Sequence, residues 1–131
     1  MDPIAAAQFA NFIARFYQNL AMQVGDYIHE HIGDIPDNQL SILSDDQTRL
    51  ISYSNTFFAL SDSIAFQGAD VYFKKVQDAT ADINKALQQI QKADTVITVA
   101  ANVIALAGGI VSKNTSMITT ALTGLKGALK L

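Results

Sequence analysis

The chain has 131 residues with no cysteine and no tryptophan; 50% are hydrophobic, 16% are charged, and the formal net charge is −3. The missing cysteines exclude disulfides and thiolate metal sites, and a charged fraction below the ~25% of an ordinary soluble domain leaves apolar surface that must be hidden in a core, a partner or lipid. Residues 1–94 set six bases against twelve acids, whereas residues 95–131 carry Lys113, Lys126 and Lys130 and no acid. Three scattered lysines behind an acidic body exclude a nucleic-acid partner, because phosphate recognition needs clustered Lys and Arg.

At this length a single helical domain over 1–131 is expected. The N-terminal MDPIAAAQFANFIARF has no basic stretch ahead of its apolar residues. No Sec signal is therefore expected, which points to a cytoplasmic protein or a non-classical export route. Asp2 followed by Pro3 predicts an N-cap and a helix start. The spacing of Phe9, Ile13, Phe16, Leu20, Val24, Tyr27 and Ile28 extends that helix to about residue 32, before Gly33 and Pro36. His29 and His31 stand near its end, about 200° apart on a helical wheel, too far around to share a metal. No metal is expected there, and the pair is a candidate pH sensor.

The segment GDIPDNQLSILSDDQ reads as a connection holding at most a helical turn at 38–43. Ser44 with Gln47 forms a capping-box pattern that places the second helix start there. Leu50, Ile51, Phe57, Phe58, Leu60, Ile64 and Ala65 supply its apolar face, and Gly68 its end.

From Ala69 a seven-residue period appears: Ala69, Val76, Ile83, Ile90, Ile97, Ile104 and Val111, with Tyr72, Ala79, Ala86, Ala93, Ala100 and Ala107 as the companion row. Isoleucine alternating with alanine lets a neighbouring helix approach closely, so Ile83, Ala86, Ile90, Ala93, Ile97, Ala100, Ile104 and Ala107 are the expected packing seam. With no Gly or Pro inside 69–107, the simplest expectation is one helix of about 39 residues, roughly 58 Å long. The expected fold is therefore an all-α bundle of three or four helices dominated by that long helix.

Thr95 to Ser112, TVITVAANVIALAGGIVS, runs eighteen residues without a charge, about 27 Å of helix against a hydrocarbon core of ~30 Å. Its off-seam residues Val96, Val99, Val103, Leu106 and Ile110 form the expected membrane or partner face, since a helix apolar nearly all round is either fully buried or in lipid. The closing TSMITTALTGLKGALKL reads as a cationic amphipathic helix, its lysines Lys113, Lys126 and Lys130 suited to an anionic surface. Residues 95–131 are thus a candidate membrane-interacting hairpin.

No nucleophile elbow, phosphate loop or catalytic constellation is present, so no enzyme activity, catalytic residue or cofactor is expected. Long helices with an apolar segment near one end resemble the plan of helical pore-forming toxins, in architecture and without a matching sequence motif. That resemblance implies a soluble form that converts to a lipid-inserted homo-oligomer. The alternative is an interaction module, such as a secretion chaperone, adaptor or assembly subunit, that docks a partner helix on the same apolar face. A charge at Val103 is expected to abolish lipid binding in the first case and partner binding in the second, and to unfold the protein if Val103 is core.

Overall fold

The computed structural model describes residues 2–60, 64–65, 68–87 and 92–129. Every secondary-structure element among them is helical: α1 (Pro3–His31), α2 (Asp37–Ala59), α3 (Ala69–Leu87), α4 (Ala93–Ser112) and α5 (Thr115–Leu129). Neighbouring helices close a ring in the order α1, α2, α4, α5, α3 and back to α1.

α1 starts where the Asp2–Pro3 pair predicts, with the Asp2 carboxylate accepting from the Ala5 N–H at 2.7 Å. Its buried face holds Phe9, Ile13, Phe16, Leu20 and Val24, with alanines and Tyr17 between them. α2 begins earlier than the capping-box pattern implies. Pro36 stands at its N-cap, Asp37 lies in the first turn, and Ser44 falls inside the helix. Leu43, Asp46, Leu50, Ser54 and Phe57 make one buried stripe at helical spacing, and the buried Asp46 is what hid this periodicity in the sequence. Ile51 and Phe58, expected in the core, are about half exposed. α1 and α2 run antiparallel, with the Ser54 hydroxyl donating to the Ala14 carbonyl at 2.8 Å.

The helix expected over 69–107 is two helices. Lys92 has extended backbone (φ −103°, ψ 130°) and serves as the N-cap of α4, so the heptad stripe cannot continue in phase. α3 buries Ala69, Val76 and Ile83 of the seam, but beside them it buries Phe73 and Thr80 and leaves the expected companions Tyr72, Ala79 and Ala86 half-buried. α4 instead buries Val96, Val99, Val103, Leu106 and Ile110, one position away from the Ile97–Ile104–Val111 row. Gly68, with φ +78°, turns the chain into α3, and Phe73 stacks on Phe9 of α1 at 3.6 Å between ring centroids.

Candidate functional site

α4 and α5 form an antiparallel hairpin built by a compact turn. Lys113 takes the left-handed conformation (φ 57°). Its N–H reaches the Ile110 carbonyl at 3.2 Å and the Asn114 N–H reaches the Gly109 carbonyl at 2.9 Å, the pair of bonds that ends a helix in a Schellman motif. The Asn114 side-chain oxygen then accepts from the Met117 N–H at 3.1 Å and caps α5. Two glycines allow the helices to touch. A Cβ at Gly109 would stand 3.0 Å from Ile118 Cγ1, and one at Gly124 would collide with the Asn102 side-chain amide.

Four of the hairpin's polar side chains bond back within their own helices. Thr98 donates to the Asp94 carbonyl at 2.9 Å, Asn102 to Thr98 at 2.9 Å and Ser112 to Gly108 at 2.7 Å. On α5, Thr123 donates to Thr119 at 2.9 Å. Such back-bonding lowers the penalty for removing a hydroxyl or amide from water. α4 is also the one helix among the described residues long and apolar enough to cross a membrane, a test that a buried core helix passes as well.

The residues of the expected membrane or partner face lie inside the closed bundle. Val96, Val99, Val103, Leu106 and Ile110 are each no more than 2% exposed. The break at Lys92 rotates α4 relative to the seam, so its buried face combines these residues with the seam alanines Ala100 and Ala107. Of the seam residues, Ile83, Ala100 and Ala107 are buried, whereas Ala86, Ala93, Ile97 and Ile104 are half-buried; Ile90 lies outside the described residues. The face of α4 that does meet solvent carries Thr98, Ala101, Ala105 and Val111. A charge at Val103 would therefore break the bundle before it reported on lipid or partner. Lys113 and Lys126 are exposed, and Lys130 lies outside the described residues.

Two side-chain hydrogen bonds reach the hairpin from the first two helices. The Tyr17 phenol donates to the Val103 carbonyl at 2.6 Å, and the Gln39 amide donates to the Asp94 carboxylate at 2.5 Å. Burial, with Tyr53 adding to it, pushes the Tyr17 phenol well above its usual range, so it is a neutral donor. Asp94 shares a cleft with Tyr27, His31, Asp34 and Lys92. Burial and then the charges of Asp34 and Asp94 raise the Tyr27 pKa. His31 is half-buried with its ring 4.4 Å from that of Tyr27, while His29 is exposed. Only one of the two histidines therefore faces a structured environment. No group of three or more metal-ligating side chains is gathered among the described residues.

Sequence reasoning missed Asp46. It is 5% exposed, and its nearest cation is the solvent-facing Arg49 at 3.9 Å. Burial raises its pKa, Arg49 opposes the rise and Asp45 adds to it. The signal was present: Asp46 falls at helical spacing between Leu43 and Leu50. The chain matches no family model, no curated protein and no solved structure.

Proposed function

We propose that this is a membrane-active helical protein whose α4–α5 hairpin leaves the bundle to enter lipid and there assembles with further copies. The observation that carries the reading is the construction of the hairpin. α4 offers twenty residues, about 30 Å of helix, uncharged after Asp94, with Thr98, Asn102 and Ser112 bonded to their own backbone. Beyond Asp94 no charged side chain in the segment must remain in water. The hairpin's own turn, caps and glycine contacts lie between α4 and α5, so it can separate from α1 and α2 without coming apart. Lipid then replaces the side chains that cover Val96, Val99, Val103, Leu106 and Ile110. The small residues Ala101, Ala105 and Gly108 suit close helix association in a bilayer, which supports an oligomer over a lone span. Lys113 at the turn costs about 2.5–3.5 kcal/mol at the bilayer centre on insertion scales, and less once it reaches the far headgroups.

The alternative, a non-enzymatic interaction module, draws on the same solvent-facing side of α4. There half-buried Ile97 and Ile104 flank exposed Ala101 and Ala105, an uncharged strip wide enough to receive one partner helix.

The test uses exposed positions, so that the soluble fold survives. Ala105→Trp introduces the chain's single tryptophan; Ala105→Asp places a charge where only a lipid-inserted α4 would feel it. Both are compared with the parent for dye release from neutral and anionic vesicles at pH 7.5 and pH 5. The reading predicts release by the parent, quenching of the tryptophan by brominated lipid, and loss of release in a still-helical Ala105→Asp protein. No release and no quenching under any condition would overturn it and favour a protein partner.

A further inference from the structure

α4 is packed on three sides and open on the fourth. α2 and α5 flank it, and Tyr17 of α1 reaches its inner side. The remaining face carries exposed Ala101, Ala105 and Ser112 beside half-buried Ile97, Ile104 and Gly108. Ridge and hollow alternate along it. Ile97 and Ile104 stand seven residues apart, and the small pairs Ala101 with Ala105 and Gly108 with Ser112 repeat at the same interval. The face holds no charge of its own and has one at each end, Asp94 in the first turn and Lys113 at the C-cap, both exposed. The Gln39 amide steadies the Asp94 carboxylate at 2.5 Å. Neither Asp94 nor Lys113 has an ion-pair partner among the described residues.

We propose that two copies of the closed protein pair through this face, α4 against α4, antiparallel about a two-fold axis beside Ile104. A two-fold axis makes a patch meet itself, so the patch must complement itself in shape and charge. Asp94 lies ten residues before Ile104 and Lys113 nine after it, so an antiparallel pair centred there sets Asp94 of each copy against Lys113 of the other. The same register lowers each Ile104 into the hollow between Ala101 and Ala105 of the second copy, and each Ile97 into that between Gly108 and Ser112, as knobs enter holes. Lys92, the next charge outward, stands opposite Thr115 and meets no charge. Parallel pairing would put Asp94 beside Asp94 and Lys113 beside Lys113. A partner of another sequence would have to bring the ridge spacing and the reversed charges that this chain already holds. One helix face from each copy is a small interface, so half-association is expected at roughly 0.1 mM. The pairing belongs to the closed, lipid-free form and does not rest on entry of the hairpin into lipid.

The experiment sediments the full chain without lipid, from about 5 µM to about 1 mM, beside Ala101→Arg, Asp94→Lys and Lys113→Asp. The parent should pass from monomer to dimer, and the transition should move to higher concentration in about 0.5 M salt. Ala101→Arg changes an exposed side chain and should stay monomeric with the parent's melting curve. Asp94→Lys and Lys113→Asp should each associate about tenfold more weakly, because like charges then meet at both ends of the pair. An equimolar mixture of those two variants should regain the parent's association, since each end again joins opposite signs; a folding defect cannot produce that rescue. Carbodiimide coupling should join Asp94 to Lys113. The two ends of one α4 are about 28 Å apart, so that product links separate copies. A monomer at every concentration would overturn the assignment and leave the face to lipid or to another protein. A dimer without the Asp94–Lys113 product, or a mixture no better than its components, would overturn it equally. None of these outcomes bears on dye release, so the two proposals fail separately.

Discussion

The phenol of Tyr17 on α1 crosses the centre of the helical ring and donates to the carbonyl of Val103 on α4 at 2.6 Å, with both residues fully buried. That carbonyl lies mid-helix, so its oxygen already has a helical partner and the phenol is an additional tie. Tyr17→Phe removes the tie and leaves the rings of Tyr53 and Phe57 packed against the same aromatic face. The expected cost is about 1 kcal/mol, seen as a melting temperature lower by roughly 3–5 °C. If α4 must leave α1 to meet lipid, the same variant releases vesicle dye faster than the parent at equal helicity.

Asp46 sets the direction of pH dependence. Its pKa is raised in the folded protein, so the native state holds that proton more tightly than the unfolded chain does. The stabilisation from this proton is full below the unfolded value of about 3.9. It is lost as pH rises through the folded pKa. Above the folded pKa the buried carboxylate is charged and opposes folding. Asp46→Asn should therefore raise the melting temperature at pH 7 and leave it nearly unchanged at pH 3. Equal effects at both pH values would show that the side chain acts through packing and not through its charge. Any acid sensitivity of the hairpin must then come from elsewhere, with His31 in its cleft beside Asp34 and Asp94 the first residue to replace.

How far the sequence could be read follows from these same residues. Asp2, Pro3 and the periodicity up to Val24 act within one helix, and α1 appeared as expected. α2 lost its first two turns to a polar, aspartate-rich stretch, because Asp46 occupies a core position where periodicity calls for an apolar residue. Along α3 only the Ala69, Val76 and Ile83 row of the heptad seam is buried, with Phe73 and Thr80 in place of its companions, and beyond α3 the seam misled. A seven-residue repeat shows that residues share a stripe only while the helix is unbroken, and extended backbone at Lys92 resets the phase for α4. An uncharged helix has apolar residues on every side, so composition could not say which side of α4 faces inward. Asn102 and Gly124 lie 22 positions apart, and nothing local to either predicts their contact.

Lys113 is the one described non-glycine residue with positive φ, at 57°, a conformation that disfavours any residue with a Cβ. Its place at the end of α4 is one that glycine usually fills. Lys113→Gly should stabilise the protein by about 0.5–1 kcal/mol, measurable by urea denaturation with an unchanged m-value. The same change removes the cation from the tip of the hairpin. Insertion should then become less dependent on anionic lipid, so the ratio of dye release from anionic and neutral vesicles falls even as the soluble form becomes more stable.

The contact of Gly124 with Asn102 tests whether the hairpin acts as a unit. A methyl group at Gly124 would occupy the space of the Asn102 amide, which is itself held by its bond to the Thr98 carbonyl. Gly124→Ala gains helix propensity of about 1 kcal/mol, but the overpacking costs about 1–3 kcal/mol. The net expectation is destabilisation with the two helices pushed apart. Asn102→Ala removes the obstacle, so Gly124→Ala made in that background should instead stabilise. A double-mutant cycle by thermal unfolding should give a favourable coupling of at least about 1 kcal/mol. The same cycle read by dye release separates two routes into lipid. If α4 and α5 enter together, Gly124→Ala impairs release and Asn102→Ala restores it. If α4 enters alone, loosening the hairpin speeds release, and the rescue runs in the opposite direction.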